Sequence, residues 1–329
     1  MGIMARVAVR VALVVGVVML APPALAQSRQ LVVIASGWVV GVYYPIAGAM
    51  SRIAYGARDL NIRAVVESSG ASVANAQLIE AGDADIALIQ NDIAYYAVRG
   101  GPLAEFSGKP IRNLTGMFTI YPEPVHIVVR HTAGVKTVAD LRGKRVVLGP
   151  VASGTEQNAL QILEAYGLRE ADLGRAERVD AVTAAGQMRE GQVDAAFFTT
   201  GLGSAVVADT LRTAKARLVG IEAAQRERLR RQYPFYTVET LPAGAYQWHL
   251  GDVTTVAVRA MVVARGDLPE ELVYRFTKAI FDNLAQFHAA DAAAKSLTLS
   301  TAVSGMPVSL HPGAARFFKE RGVNLKEVP

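Results

Sequence analysis

The sequence predicts an α/β fold of two similar lobes joined by two chain crossings, and three observations predict it. Short apolar runs alternate with segments of helical period, the pattern of parallel βαβ units. One such unit occurs twice. Val73, Ala76, Ile79, Gly82, Asp85, Ala87 and Leu88 recur, 109 positions on and without a gap, as Val182, Ala185, Met188, Gly191, Asp194, Ala196 and Phe197. Each copy reads as a helix with one apolar stripe, a glycine stop, an aspartate and a buried strand. Long extended runs, around Pro122-Glu123-Pro124 and over Thr254–Ala264, carry the chain out of the first lobe and back. The expected order is lobe I (27–121), lobe II (122–255) and a return to lobe I (256–329). Two crossings form a hinge about which a cleft can open and close.

Taken in order, Leu31–Ala35 is a continuous apolar run and reads as a buried strand. Tyr43–Tyr55 has helical period and tolerates Pro45 in its first turn, where a missing N–H is no loss. Ile62–Glu67 is a strand, Ala71–Ala81 a helix and Ile86–Gln90 a strand. Leu114–Tyr121 and Val125–Arg130 are two extended runs, and the prolines between them exclude helix. Arg145–Gly149 is a strand, Thr155–Ala165 a helix, and Ala181–Glu190 with Ala195–Phe198 the second copy of the repeat. Leu218–Ile221 is a short strand. In the charged helix after it, Arg226, Arg228, Arg230 and Arg231 share the segment with Glu222 and Glu227, which marks a solvated face and not a nucleic-acid patch. Pro269–Phe287 reads as one helix, with Leu272, Phe276, Ile280 and Leu284 spaced by four. From Ala292 onward short helices are broken by Gly305, Pro307 and Pro312.

A chain of 329 residues suffices for two domains, and with 51% hydrophobic against 19% charged residues it can bury sizeable cores. The net charge of +5 is scattered, so no nucleic-acid partner is expected. Residues 1–26 read as a signal peptide. Arg6 and Arg10 precede an apolar run, Val11–Ala21, and Ala24-Leu25-Ala26 precedes the cut. The run is shorter than the roughly 20 residues a membrane span needs, and an uncleaved membrane anchor is the alternative reading. Cleavage after Ala26 leaves Gln27 first and delivers the chain to the periplasm. The absence of cysteine excludes disulfides, thiol nucleophiles, thiolate metal ligands and a lipid anchor on cysteine.

In open parallel sheets, ligands lie beyond the C-terminal ends of strands. Those ends are Ser36-Gly37-Trp38, Glu67-Ser68-Ser69-Gly70, Gln90-Asn91, Ala152-Ser153-Gly154-Thr155 and Thr199-Thr200-Gly201. Most are hydroxyl, amide or glycine residues, several ahead of helices whose free N–H groups and positive dipole end suit an anion such as a carboxylate. Tyr43-Tyr44 and Tyr95-Tyr96 place aromatic pairs near two of these ends, one ring of each expected in the core and the other in the cleft wall. Substrate-binding candidates are therefore Ser36, Gly37, Trp38, Tyr43, Tyr44, Ser69, Gly70, Gln90, Asn91, Ser153, Gly154, Thr155, Thr200 and Gly201.

No catalytic or metal motif competes with this reading. None of the five histidines has ligand spacing, so no metal is expected. Gly201-Leu202-Gly203 lacks a third glycine and an acidic ribose partner, and no cofactor is expected. Ser153 is flanked by Val151 and Thr155 where a nucleophile elbow needs glycines. Asp83 and Asp85 read as a turn and a strand start, since Asp85 recurs as Asp194. Glu156 reads as a first-turn acid favoured by the helix dipole, with an amine-binding role as the alternative.

The same residues resemble the TAXI proteins, extracytoplasmic solute receptors of one class of TRAP transporters. The resemblance runs from about Leu31 to about Gly322. It rests on Gly41-Val42-Tyr43-Tyr44-Pro45, Ser69 to Asn75, Gly82 to Asp85, Gln90 to Tyr96, Tyr121 to His126, Gly154-Thr155-Glu156, Asp194 to Thr199, Tyr233-Pro234-Phe235-Tyr236 and His311 to Arg316. It implies a two-lobed periplasmic binding protein of type II topology that captures a small organic anion, such as glutamate or a related dicarboxylate or keto acid. It further implies delivery to a membrane-embedded TRAP permease driven by an ion gradient, with no catalysis and a monomeric receptor. Cleft residues by this resemblance include Tyr43 or Tyr44, Ser69, Gln90 or Asn91, Ser153, Thr155 and Thr200. Two segments depart from the pattern. Trp38 stands where a small residue is usual, and Tyr246-Gln247-Trp248-His249 is atypical. A sensory receptor without a permease is the alternative reading of the same cleft; a secreted enzyme on this scaffold would need a nucleophile–base pair.

Overall fold

Strands and helices alternate through the computed structural model, which describes residues 29–329 apart from Trp248 and Glu327. The expected signal peptide, its cut after Ala26 and the indole of Trp248 lie outside the described residues. The chain opens with β1 (Gln30–Ala35), α1 (Tyr43–Gly56), β2 (Ile62–Glu67), α2 (Ser72–Ala81), β3 (Ile86–Gln90) and α3 (Asn91–Arg99). The long strand β4 (Leu114–Arg130) leads to β5 (Arg145–Val147), α4 (Gly154–Ala165), β6 (Arg175–Glu177), α5 (Ala181–Glu190) and β7 (Ala195–Thr199). Then come α6 (Ala205–Thr213), β8 (Ala216–Val219), α7 (Ala223–Gln232) and β9 (Thr237–Leu241). Strand β10 (Val253–Arg265) returns, followed by α8 (Glu270–Asp282), α9 (Leu284–His288) and α10 (Pro312–Glu320).

The strands form two half-sheets with one plan. The first runs β2-β1-β3-β10-β4, with β1 parallel to β2 and β3, and β10 antiparallel to β3 and β4. The second runs β6-β5-β7-β4-β8, with β5 parallel to β6 and β7, and β4 antiparallel to β7 and β8. Each therefore has the order 2-1-3-n-4, where n is a strand arriving from the other lobe, as the expected type II topology requires. The two extended runs around the prolines are one strand. Leu114–Pro124 pairs with β10 and Val125–Arg130 with β7 and β8. Pro122 and Pro124 thus sit where the ladder changes partner, a position that spares them the loss of a central hydrogen bond.

The sequence repeat is a structural repeat. The bounds of α2 and β3, moved 109 positions, are those of α5 and β7. Both helices stop at a left-handed glycine, Gly82 (φ 79°) and Gly191 (φ 76°), where a side chain would be strained. Asp85 accepts the Val33 N–H at 2.8 Å, and Asp194 accepts the Arg145 N–H at 3.0 Å. Each aspartate ties the third strand of its lobe to the first, which is the structural role its recurrence predicts.

Four elements escaped the periodicity: α3, β6, α6 and β9. Helix α3 follows β3 with no intervening turn residue, and Gln90 is both the end of the strand and the helix N-cap. The single helix expected over Pro269–Phe287 is two, because Asn283 donates its side-chain amide to the Ala279 carbonyl at 2.8 Å and competes with the backbone there. In lobe I, α1, α8 and α10 cover one sheet face around Ile34, Met50, Phe276 and Phe317. The opposite face continues through α2 and α3 into α4 of the second lobe as one apolar cluster. Helices α5 and α6 cover the outer face of lobe II around Met188, Phe198 and Leu218.

Candidate ligand-binding site

A cavity of about 140 Å³ lies between the half-sheets, at the C-terminal ends of their parallel strands. Lobe I contributes the β1–α1 loop (Gly37, Trp38 and Val40 to Tyr43), the start of α2 (Ala71, Ser72) and Gln90 at the end of β3. Lobe II contributes the β5–α4 turn, the starts of α4, α5 and α6, and the end of β7.

The repeat places matching groups on opposite walls. Gln90 and Thr199, 109 apart, close β3 and β7 and are only 4% and 8% exposed. Gln90 Oε1 and Thr199 Oγ1 are buried without a hydrogen-bond partner. Such orphaned groups are unfavourable in a finished core and point to a missing partner. The two walls also touch. A Cβ on Gly154 would lie 1.6 Å from Gln90 Oε1, so only glycine lets the amide of one lobe rest on the backbone of the other.

Five helix N-termini converge here, those of α1, α2, α4, α5 and α6. Two are occupied by their own side chains. Ser153 Oγ accepts the Glu156 N–H at 3.2 Å and donates to the Pro150 carbonyl. Asp180 accepts the N–H groups of Val182 and Thr183 at 2.9 and 3.0 Å. The N-termini of α1, α2 and α6 have no side-chain cap, which leaves donors for a ligand anion. Ala71, just before α2, has φ 76° and ψ −150°, a strained conformation for an alanine and one that belongs at a functional site.

The surroundings are mostly apolar and weakly charged. Among the described lining residues Asp180 is the one carboxylate, and none is Lys, Arg or His. Behind the wall, Tyr43 donates to Glu123 Oε2 at 2.8 Å, and burial pushes the Glu123 carboxyl up to about 8. Below it a buried chain joins the lobes: Asn158 of α4 donates to Asp92 of α3 at 2.7 Å and to the Tyr236 hydroxyl at 2.9 Å. Tyr236 donates to Gln161 at 2.6 Å, and Gln161 donates to Tyr96 at 2.9 Å. Burial raises Asp92 to about 7.

Of the candidates read from the sequence, Gly37, Trp38, Tyr43, Gln90, Ser153, Gly154, Thr155 and Thr200 line the cavity. Six lie elsewhere, each for a local reason. Ser36 is fully buried and donates to the Glu67 carbonyl between β1 and β2. Asn91 spans the crossing, accepting the Arg259 N–H and donating to the Gly305 carbonyl. Ser69 accepts the Ala71 N–H in a tight turn, and Gly70 beside it faces Ala74. Tyr44 lies outside the wall that Tyr43 joins. Gly201 is packed against Tyr121 and Ala293. Neither Tyr95 nor Tyr96 reaches the cleft; both rings pack on Phe235. Glu156 is paired with Arg178 and the Ala152 N–H. Sequence reasoning missed Ala71, Ser72, Asp180, Phe197, Phe198 and Ser204. Thr199, read from the sequence at its strand end beside Thr200, stands in the wall 109 positions after Gln90.

Residues 34–322 match the NMT1-like family. The chain belongs to the NMT1-like family. This NMT1-like chain also shares its fold with solved structures of low identity. MatC from Rhodopseudomonas palustris, solved with bound malate, superposes with a TM-score of 0.58 at 14% identity, over 88% of this chain and 97% of that one. PhnD1 from Prochlorococcus marinus, in complex with methylphosphonate, gives 0.54 at 13% identity, over 81% and 91%. These likenesses establish the two-lobed fold of the periplasmic binding proteins. Among the described residues, no helix is long and apolar enough to cross a membrane.

Proposed function

We propose that this NMT1-like chain is a periplasmic solute-binding receptor that captures a small organic anion between its lobes, and that it serves a TRAP transporter of the TAXI type. The observation that carries this reading is the cavity itself. Two strand ends related by the repeat set Gln90 and Thr199, each with an unpartnered polar atom, in its wall, and three uncapped helix N-termini stand around it. The anion would accept backbone N–H groups and hydroxyls among Ser72, Thr155, Thr199 and Thr200, with Ser153 holding the turn beneath it and Trp38 and Tyr43 against its carbon skeleton. The receptor would be exported after loss of residues 1–26 and act as a monomer without catalysis. Lobe I would be 27–121 with 256–329 and lobe II 122–255. The change of pairing partner after Pro124 supports that boundary.

Isothermal calorimetry against carboxylates, sulfonates and phosphonates, combined with small-angle scattering, tests the reading. Binding of an anion with a smaller radius of gyration in the complex is the expected outcome. No heat from any member and no compaction would overturn it. Co-purification with a permease of the TRAP type, strengthened by bound anion, tests the transporter assignment.

A further inference from the structure

We infer that the cavity is built for a monoanion with an apolar body, an aromatic or branched aliphatic acid, and not for a dicarboxylate or an amino acid. This inference rests on the receptor reading of the same cavity and narrows it. Three observations carry it. The first is the polarity of the wall, which is mostly apolar and includes Trp38, Val42, Val179, Phe197, Phe198 and Val206. The second is charge. No Lys, Arg or His stands among the described lining residues. Arg259, half-buried, runs its side chain along Gly305 and is not part of the wall. A second carboxylate would therefore be pressed against apolar groups with no counter-charge, which is prohibitive for a buried ion. The third is the direction of the donors. The uncapped N-termini, the Thr199 hydroxyl and the N–H groups of the Gln90 amide are the donors that can hold an anionic group.

An α-ammonium group fares no better. Asp180, the one carboxylate in the wall, is already engaged by two backbone N–H groups and the Thr183 hydroxyl. Glu156 is held by Arg178, and Glu123 lies behind Tyr43. Trp38, 44% exposed at the rim, offers its indole face to an unsaturated ligand body.

The test is calorimetry on the chain after unfolding and refolding to strip carried molecules, with phenylacetate, 4-methyl-2-oxopentanoate, malate, 2-oxoglutarate and glutamate as probes. One of the two monoanions is expected to bind at least tenfold tighter than every diacid. Trp38→Ala should weaken the monoanion about tenfold, and Val206→Lys should bring malate or 2-oxoglutarate binding at least tenfold closer to it. A diacid or glutamate binding as tightly as the better monoanion in the unmutated chain would overturn the inference and leave the receptor reading standing. Release on denaturation of an ion-trapped molecule of another class would do the same. No heat from any probe, no released molecule and no compaction in scattering would overturn both.

Discussion

Gln90 and Thr199 are expensive residues to keep in a ligand-free protein. A buried polar atom with no partner costs about 1–3 kcal/mol. Their replacement by similar apolar side chains should therefore not harm the fold. Gln90→Met and Thr199→Val are expected to leave the melting temperature of the empty protein unchanged or raise it by a few degrees. The same changes should weaken binding of the tightest acid about tenfold or more, since each removes a hydrogen bond to a desolvated anion. Thermal melts with and without phenylacetate, beside calorimetry, separate the two effects. A drop in stability of the empty protein would show that these side chains serve the fold.

The repeated helix–strand unit makes a prediction that one copy alone would not. Asp85 and Asp194 receive an N–H from the first strand of their own lobe and follow a left-handed glycine, so their removal should cost similar amounts. Asp85→Ala and Asp194→Ala are each expected to destabilise by about 1–3 kcal/mol in urea unfolding, because each leaves a strand N–H unpaired. Both aspartates also pair with an arginine, Asp194 with Arg145 at 2.7 Å and Asp85 with Arg265 at 3.7 Å, so the lobe II variant, with the closer pair, should lose the more. What could be read in advance follows the same lines. Buried strands and striped helices announce themselves by period, and the 109-residue offset survived into matched element bounds. The helix after Gln90 did not, since a strand that becomes a helix without a turn carries no punctuation. Nor did the partition of the wall. Tyr43 and Tyr44 are indistinguishable by residue type, and only the direction of α1 aims one at the cavity. Ser36 and Asn91 have the right chemistry at the right strand ends, but backbone groups across the sheet claim them first.

For the molecule as a whole, three buried titratable groups near the junction of the lobes set the response to pH. Burial raises Glu123 to about 8 and Asp92 to about 7, and lowers His126 to about 4. From about pH 4 up to pH 8 the unfolded chain has released carboxyl protons that the folded protein still holds, so stability is lost as pH rises through this range. The histidine acts the other way. Between about pH 4 and 6.5 the unfolded imidazole takes a proton that the buried one refuses, which offsets one of the two carboxyls. The melting temperature should therefore decline gently from about pH 4.5 and more steeply between about pH 6.5 and 8, the fall from about pH 6 to 8.5 being equivalent to roughly 3 kcal/mol. Glu123→Gln should flatten the alkaline limb; an unchanged slope would show that Glu123 is ionised in the fold. Gly154 has a consequence at this scale too. Its missing side chain is the seat of the Gln90 amide, which fills the place a methyl would take. Alanine there would turn the amide out of its seat, so the contact by which one lobe feels the other at this point hangs on one absent carbon.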